Sequence, residues 1–245
     1  MEFWSNCANR LPNEMNGTEE LLTDWPAKDV LRLRLNRPDQ LNAINITLVN
    51  ALISAFDGVN ARAVVLGSST AQSFCSGADL GLEDAERARV SDLLYELYEK
   101  MVRLPVPIVV AINGHAVGAG IQLALAGDLR VAAPEAKMRV AGPKHGLAVA
   151  AWGLPSLVGR GRALDLCLTM RPVEAKEAMD IGLVDRIDQA PAKAAVDLAS
   201  AFARLDAAAV SRVKRVVTEA SGFVDALREE RSGNRAGWSG SVAAL

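Results

Sequence analysis

The sequence predicts an α/β protein, and three observations support this fold class. Short apolar segments with the length of strands recur along the chain, beginning at Val30, Ala63 and Ile108. Longer segments with apolar residues at helical spacing separate them. The second and third strand segments, AVVLG and IVVAI, are apolar throughout, which is typical of strands buried on both faces. This alternation favours helices packed on a mostly parallel sheet.

A polar segment precedes the first predicted strand. Residues 1–25 show no apolar periodicity, so we expect a flexible N-terminal extension. From Val30 apolar residues and arginines alternate, and Pro38 follows, which predicts a half-buried strand. Asn45 is expected to cap a helix. The apolar residues that fall at helical spacing after it are Leu48, Val49, Leu52, Ile53 and Phe56.

The rest of the core is predicted to contain two pairs of a strand and a helix and one further strand region. A strand over residues 61–69 precedes a helix from roughly 83 to 103, which ends before two prolines. The strand at 108–112 precedes an apolar helix that begins at Gly118, and residues 129–141 hold at least one short strand. From about residue 191 the chain is Ala-rich, helical and amphipathic. We therefore expect a core over residues 26–190 and a C-terminal helical region over 191–245.

Composition limits the classes of partner. The 245 residues include 27 basic and 29 acidic side chains without a long run of either sign, which argues against a nucleic-acid partner or binding to an anionic membrane. The apolar stretches are too short for membrane insertion, and the start does not read as a secretory signal. The three cysteines are far apart and show no metal-ligand spacing, so we expect reduced thiols, no metal site and a cytoplasmic location.

Two Gly-containing loops are the candidate functional segments. They cover residues 74–80 (FCSGADL) and 113–120 (NGHAVGAG), directly after the second and third strands. Small residues let a ligand approach the backbone, and a Gly-rich turn that opens a helix directs free N–H groups outward. Two such amides could polarise one carbonyl oxygen. Ordinary tight turns are the alternative, while the spacing does not match the dinucleotide-binding pattern G-x-G-x-x-G.

A resemblance to a known family rests on five ordered motifs between residues 29 and 188. They are NRPDQLNAIN, FCSGADL, the segment from IVVAINGHAVGAGIQLALAGD to APEAKM, LVGRGRALDL and EAKEAMDIGLVDRI. Together they resemble the crotonase (enoyl-CoA hydratase/isomerase) superfamily. The resemblance implies a ββα spiral core, a C-terminal helical region that forms homotrimers or hexamers built as dimers of trimers, and acyl-CoA or CoA as ligand without a permanently bound cofactor.

The resemblance also implies site residues. The backbone amides of Ala78 and Ala119 would form an oxyanion hole for an acyl-CoA thioester, and the loop with Asn42 and Ala43 would line the channel for the CoA nucleotide. Arg37 or Lys214 could meet phosphates. The full set expected to contact the ligand is Asn42, Ala43, Ser76, Gly77, Ala78, Asp79, Gly118, Ala119, Gly120 and Trp152.

The sequence departs from the family where hydratases carry two catalytic glutamates. Gln122 stands at the first matching position and Gly142 at the second, and neither can act as a carboxylate base. His145 is a candidate substitute, because its ordinary pKa suits a general base. Glu83 and Asp84 are further candidates for the acyl pocket.

Two functions follow from these departures, and a third remains as an alternative. The first is an acyl-CoA-binding protein of lipid metabolism without normal hydratase activity. The second is an active hydratase, isomerase or decarboxylase that uses another base, since loss of CO2 generates an enolate that the two amides alone could stabilise. The third, a structural oligomer without a ligand, explains the two small-residue loops poorly.

Overall fold

The computed structural model describes residues 18–237, which form ten strands and nine α-helices. The strands are β1 (Leu21–Ala27), β2 (Val30–Leu35), β3 (Ala63–Ser68), β4 (Ser73–Cys75), β5 (Ile108–Ile112), β6 (His115–Val117), β7 (Leu129–Ala132), β8 (Lys137–Arg139), β9 (Val173–Glu174) and β10 (Arg186–Ile187). The helices are α1 (Ile46–Asp57), α2 (Asp84–Arg103), α3 (Ala119–Leu125), α4 (Leu154–Val158), α5 (Arg160–Thr169), α6 (Ala175–Asp180), α7 (Pro191–Ala203), α8 (Ala207–Ser221) and α9 (Phe223–Gly237).

The strands form two sheets whose strands alternate along the chain. The large sheet has the order β1-β2-β3-β5-β7-β10 and is parallel except for the β1–β2 hairpin. The small sheet has the order β4-β6-β8-β9, with β9 antiparallel to β8. Along the chain, β3, β5 and β7 of the large sheet are each followed directly by a strand of the small sheet, namely β4, β6 and β8. Helix α2 follows the pair β3 and β4, and helix α3 follows the pair β5 and β6. This ββα spiral confirms the predicted α/β fold.

Apolar side chains fill both faces of the large sheet. One face packs against α1, α2 and the small sheet. Helix α7 covers the other face, where Ala195 and Ala199 are fully buried against the valines of β3, β5 and β7. Because alanine is small, the helix can lie close to the sheet. The boundary predicted near residue 190 coincides with the start of α7, but this helix belongs to the core and not to a separate region.

The N-terminal prediction is wrong for part of its length. Residues 21–25 belong to β1, which pairs with β2 in the register Leu21 to Leu35. The strand lies at the edge of the sheet, and only Leu21 is buried, so its sequence lacks the apolar pattern of an inner strand. Asp24 pairs with Arg32 of β2, with Nε to Oδ1 at 2.9 Å. Residues 1–17 lie outside the described residues.

The C-terminal helices differ in how they pack. Helix α9 lies against α2, and Asp92 of α2 accepts hydrogen bonds from Arg231 and Arg235. Helix α8 buries no apolar side chain, and it exposes Val213, Val216 and Val217. The role of this region in oligomers stays a prediction, and residues 238–245 lie outside the described part.

Candidate functional site

The two predicted loops meet at the ends of β4 and β6. Gly77 and Ala78 follow β4, while Gly118 and Ala119 follow β6 and lead into α3. A Cβ atom on Gly77 would lie 3.2 Å from the Val117 carbonyl oxygen and 3.8 Å from the Ala119 nitrogen, so the loops touch. Gly77 has φ 115°, which side chains rarely permit. Both segments were predicted to be loops, but the first includes the end of β4 and the second includes β6, and strands of three residues are too short to give a pattern.

The backbone amides of Ala78 and Ala119 are free to donate to a ligand. The backbone of Ile44 forms hydrogen bonds with the residues before and after Ala78. Its nitrogen donates to the Gly77 oxygen at 2.8 Å, and its oxygen accepts from the Asp79 nitrogen at 2.9 Å. The Ala78 amide therefore points away from Ile44. Ala119 begins α3, where N–H groups lack a helical acceptor. Within residues 18–237 neither amide has a protein acceptor, so the pair has the form of an oxyanion hole.

Close packing of α3 on β4 requires glycine at position 120. A Cβ atom on Gly120 would lie 2.2 Å from the carbonyl oxygen of Cys75, well inside van der Waals contact. Burial raises the pKa of the Cys75 thiol to about 12. The thiol is therefore protonated near neutral pH and does not act as a nucleophile.

A cavity of about 180 Å³ opens beside the two amides. Its walls consist of Ser76, Gly77, Ala78, Leu80, Arg87, Ser91, Leu94, Tyr95, Val117, Gly118, Ala119, Gln122, Ala141, His145, Leu147, Val149 and Asn234. Among these described residues there is no carboxylate, and neither Glu83 nor Asp84 takes part. Asp79, Gly120 and Trp152, which the sequence analysis placed in contact with the ligand, are also absent from the walls. A larger cleft of about 550 Å³ lies between α2, α8 and α9, apart from both loops.

Gln122 reaches the cavity one turn into α3. Its residue is 5% exposed, and its side-chain oxygen accepts from the Ala150 nitrogen and from Trp152 Nε1, both at 3.0 Å. These two hydrogen bonds hold the side-chain oxygen in one position, so the Gln122 amide is an ordered part of the cavity wall. An amide does not titrate near neutral pH, so Gln122 orients groups but cannot carry a proton through a reaction.

Gly142 does not line the cavity, although its neighbour Ala141 does. A Cβ atom on Gly142 would lie 2.5 Å from Val149 Cγ2 and 2.6 Å from the Leu147 oxygen. No side chain fits at this position without a shift of the backbone. An acidic side chain therefore has no room at position 142, and the match of Gly142 to a catalytic position of the family stays a prediction.

His145 lies in the wall of the cavity and is half-buried, at the end of the turn Pro143–His145. Burial, together with the positive charges of Lys144 and Arg87, lowers the pKa of its imidazole below the ordinary value. The ring is therefore mainly neutral at neutral pH and can accept a proton. The role of His145 as a base stays a prediction.

The loop predicted to hold the CoA nucleotide is built around a buried side chain. Asn42 is fully buried, and its amide nitrogen donates to Ser68 Oγ and to the backbone oxygens of Ser73 and Phe74. Asn42 therefore holds the loop to β4 and does not line a channel. Ala43 is half-buried and lies outside the cavity walls.

Two cations expected near phosphates are instead paired inside the protein. Arg37 binds Glu20 at 3.2 Å and Asp79 at 3.0 Å, with 12% of its side chain exposed. The second Asp79 oxygen accepts from Gly81 N, so Asp79 closes a turn and does not cap α2. Lys214 binds Asp128 at 2.8 Å with 7% of its side chain exposed.

Trp152 lies behind Gln122 and not in the cavity. Its side chain is buried, its ring stacks on Tyr98, and its edge faces Phe223 of α9. The prediction that Trp152 contacts the ligand is therefore wrong. Its Nε1 atom supports the ligand site only through the hydrogen bond to Gln122.

Helix α9 contributes residues that the sequence analysis did not identify. Asn234 lines the cavity and donates to the Tyr95 hydroxyl at 2.8 Å. Glu230 accepts from the same hydroxyl at 2.6 Å and from the Trp152 nitrogen at 2.9 Å. Burial raises the pKa of the Glu230 carboxyl. Asn234 and Tyr95 are 139 positions apart, so no local pattern in the sequence could have joined them.

Residues 18–237 contain no group of three or more His, Cys, Asp or Glu side chains that could hold a metal ion. In the described part of the chain no helix is both long and apolar enough to cross a membrane.

The comparisons with known proteins agree with this geometry. The family model for enoyl-CoA hydratase/isomerase matches residues 27–236. A protein of Mycobacterium tuberculosis described as probable enoyl-CoA hydratase echA6 is 44% identical over 202 residues, which cover 79% of this chain and 80% of that relative. A counterpart from Mycobacterium leprae is 38% identical over 217 residues, which cover 84% of this chain and 85% of the relative.

Solved structures show the same likeness. The crystal structure of an enoyl-CoA hydratase/isomerase from Mycobacterium paratuberculosis gives a TM-score of 0.83 at 25% identity and covers 93% of this chain and 99% of that one. The family model spans most of the chain, and the free amide pair lies in the part that it matches. The chain therefore belongs to the enoyl-CoA hydratase/isomerase family of the crotonase superfamily.

Proposed function

We propose that the protein binds acyl-CoA thioesters of lipid metabolism, with the thioester oxygen between the amides of Ala78 and Ala119, and that it lacks normal hydratase turnover. The description of its relatives as probable enoyl-CoA hydratases supports a CoA thioester as the ligand. The volume of about 180 Å³ is smaller than pockets for drug-sized molecules, so the cavity suits the acyl part while CoA extends outside.

The observation that carries the proposal is a cavity with two free amides and no carboxylate in its described walls. Hydration of a double bond needs one group to activate water and one to deliver a proton. Gln122 supplies neither, and Gly142 has no room for an acid. Binding and polarisation of the thioester are the steps that the remaining groups support.

Binding is tested by removing one amide. Proline is tolerated at the first position of a helix, so Ala119→Pro deletes the N–H while Ala119→Ser keeps it. Calorimetry compares butyryl-CoA with its thioether analogue, which lacks the carbonyl oxygen. We expect Ala119→Pro to weaken butyryl-CoA about 3–10-fold and leave the thioether unchanged. An equal loss of affinity for butyryl-CoA and for the thioether would contradict a contact between this amide and the carbonyl oxygen.

Turnover is tested with crotonyl-CoA and decenoyl-CoA, followed by the absorbance of the conjugated thioester. The proposal expects both to bind and neither to be hydrated at ordinary enzyme rates. A kcat above about 1 s⁻¹ in the wild type would refute the loss of hydratase function. It would favour the alternative below.

A second candidate function is an active enzyme of the same family that uses another base. The position of His145 in the wall, with the pKa of its imidazole lowered, favours this alternative. Isomerisation or decarboxylation would then use His145 or the two amides alone. If turnover of any acyl-CoA is found, His145→Gln should reduce kcat while a surface change such as His115→Gln should not, since His115 is exposed.

We further propose that the protein assembles as a homotrimer or a dimer of trimers. The exposed valines of α8, Val213, Val216 and Val217, offer apolar surface that a second copy could bury. Sedimentation equilibrium measures the mass directly. A monomer at micromolar concentration would exclude this assembly.

A further inference from the structure

One face of α2 forms a graded wall of the cavity. Arg87, Ser91, Leu94 and Tyr95 all line it, and their spacing of four, seven and eight residues places them on the same face of a helix. Leu94 and the ring of Tyr95 are its apolar members, while Arg87 and Ser91 are polar. A ligand that extends along α2 therefore passes from apolar to polar surroundings.

Helix α2 also contacts the segment that carries one of the two amides. The Tyr98 hydroxyl, one turn beyond Leu94, donates to the Ala119 oxygen at 3.1 Å. Arg87 lies eight residues before Tyr95, about 12 Å along the helix axis. Arg87 thus lies about two helical turns from Tyr95 along this wall.

The Arg87 guanidinium is only partly satisfied. Its side chain is 17% exposed, and its Nη2 atom donates to Asp84 at the start of the same helix. Its Nε atom is buried and has no acceptor within the described residues. A buried donor without a partner is costly, and a planar guanidinium offers further N–H groups suited to a carboxylate.

The surroundings of Arg87 in the cavity carry positive charge. The positive charges of Lys144 and Arg87 both act on the His145 ring, which faces the cavity. Asp84 is the acidic group that contacts Arg87, and its side chain is 48% exposed, so solvent screens it. Solvent would screen an anion inside the cavity less than it screens Asp84, so the attraction of such an anion to Arg87 would be stronger.

We propose that the cavity selects acyl groups with a carboxylate at the end opposite the thioester, that is, ω-carboxyacyl-CoA esters of short diacids, and that Arg87 binds this carboxylate. The inference rests on the proposed binding of acyl-CoA and names its class of acyl group. A neutral chain would leave the Arg87 Nε without an acceptor.

The test compares matched ligands and matched variants by calorimetry. The ligands are succinyl-CoA, glutaryl-CoA and adipyl-CoA, the neutral pentanoyl-CoA and hexanoyl-CoA, and free CoA. The variants are Arg87→Gln and, as control, Arg89→Gln, which removes the same charge from an exposed position on the same helix. Asp84→Asn frees the guanidinium from its competing carboxylate.

We expect the wild type to bind at least one of the diacid esters ten or more times as tightly as the neutral esters. Arg87→Gln should remove this preference and leave the neutral esters within about twofold, while Arg89→Gln should change neither. Asp84→Asn should tighten the diacid ester severalfold.

Three outcomes would overturn the inference. Equal affinity of the wild type for diacid and neutral esters shows that no carboxylate is selected, although acyl-CoA binding stands. An equal loss of all esters and of free CoA in Arg87→Gln shows that the arginine meets a CoA phosphate. Failure of every ester to bind overturns the proposed function itself and this inference with it.

Discussion

The variant Gln122→Glu tests whether the protein tolerates a carboxylate at the first of the two positions where hydratases of the family carry a glutamate. A carboxylate would keep the donors that Gln122 now binds, the Ala150 nitrogen and Trp152 Nε1. It would also place a second buried negative charge close to Glu230, which accepts from the Trp152 backbone. Burying an ion costs several kcal/mol, and the two retained bonds reduce that cost. We therefore expect Gln122→Glu to lower the free energy of unfolding by about 3 kcal/mol at pH 8.

This loss should depend on pH in a defined direction. Burial already raises the pKa of Glu230, and a second carboxylate nearby would raise it further. An acid whose pKa is raised by folding favours the folded state at low pH, and that stability is lost as the pH rises through the folded-state pKa. The difference between variant and wild type should therefore be small near pH 5 and grow toward pH 8.

Urea unfolding at several pH values measures the effect, with the slope of each transition as a check that it remains two-state. Adding Glu230→Gln to Gln122→Glu should recover most of the stability lost at pH 8, and Glu230→Gln alone provides the reference for a double-mutant cycle. If Gln122→Glu unfolds at the wild-type urea concentration at every pH, the two side chains do not share a buried environment and the reasoning fails.

Three further changes test the packing around the site. Gly120→Ala should cost about 2–4 kcal/mol of stability and weaken butyryl-CoA at least tenfold in calorimetry, because its Cβ would lie 2.2 Å from a backbone oxygen; Gly67→Ala, whose Cβ would lie 3.6 Å from its neighbour, should change neither. Gly142→Ala should cost a similar free energy of unfolding and so lower the midpoint temperature of thermal unfolding. An unchanged midpoint would show that the loop accommodates the added Cβ atom without cost. Asp92→Asn should lose about 1–2 kcal/mol at pH 7, since two arginines of α9 lower the pKa of this carboxyl. Its difference from wild type should shrink as the pH falls below the unfolded-state pKa of 3.8 and be lost as the pH passes the lowered folded-state pKa, and a constant difference down to pH 2 would contradict the ion pairs.

The sequence predicted those parts of the fold that depend on local pattern. The buried strands β3 and β5 are continuous apolar runs, and the cap by Asn45 follows from a side chain that reaches only three residues ahead to the Leu48 nitrogen. The amides of Ala78 and Ala119 were expected from the resemblance to the crotonase superfamily, and the small residues of the two loops allow a ligand to approach them.

The parts that were missed depend on contacts between distant residues. Arg37 reads as a surface cation in the sequence, but Glu20 and Asp79 come from two other segments and pair with it. From the sequence, Asn42 is expected to be an ordinary loop residue. In the structure it is buried, and its amide nitrogen donates to three acceptors in β3 and β4. The aligned position of Gly142 could be counted along the chain, but only the structure shows that Val149 fills the adjacent space.

The order in which the chain leaves the ribosome gives the position of α9 a consequence for synthesis. The two loops with the free amides are made early, but Asn234 reaches the cavity only after α9 has emerged and docked on α2. A nascent chain that ends at α8 would have the amide pair without the wall that α9 contributes. Ligand binding and α9 docking are then thermodynamically coupled, so each favours the other by the same free energy. A thioester in the cell would act as a folding aid for the last described helix.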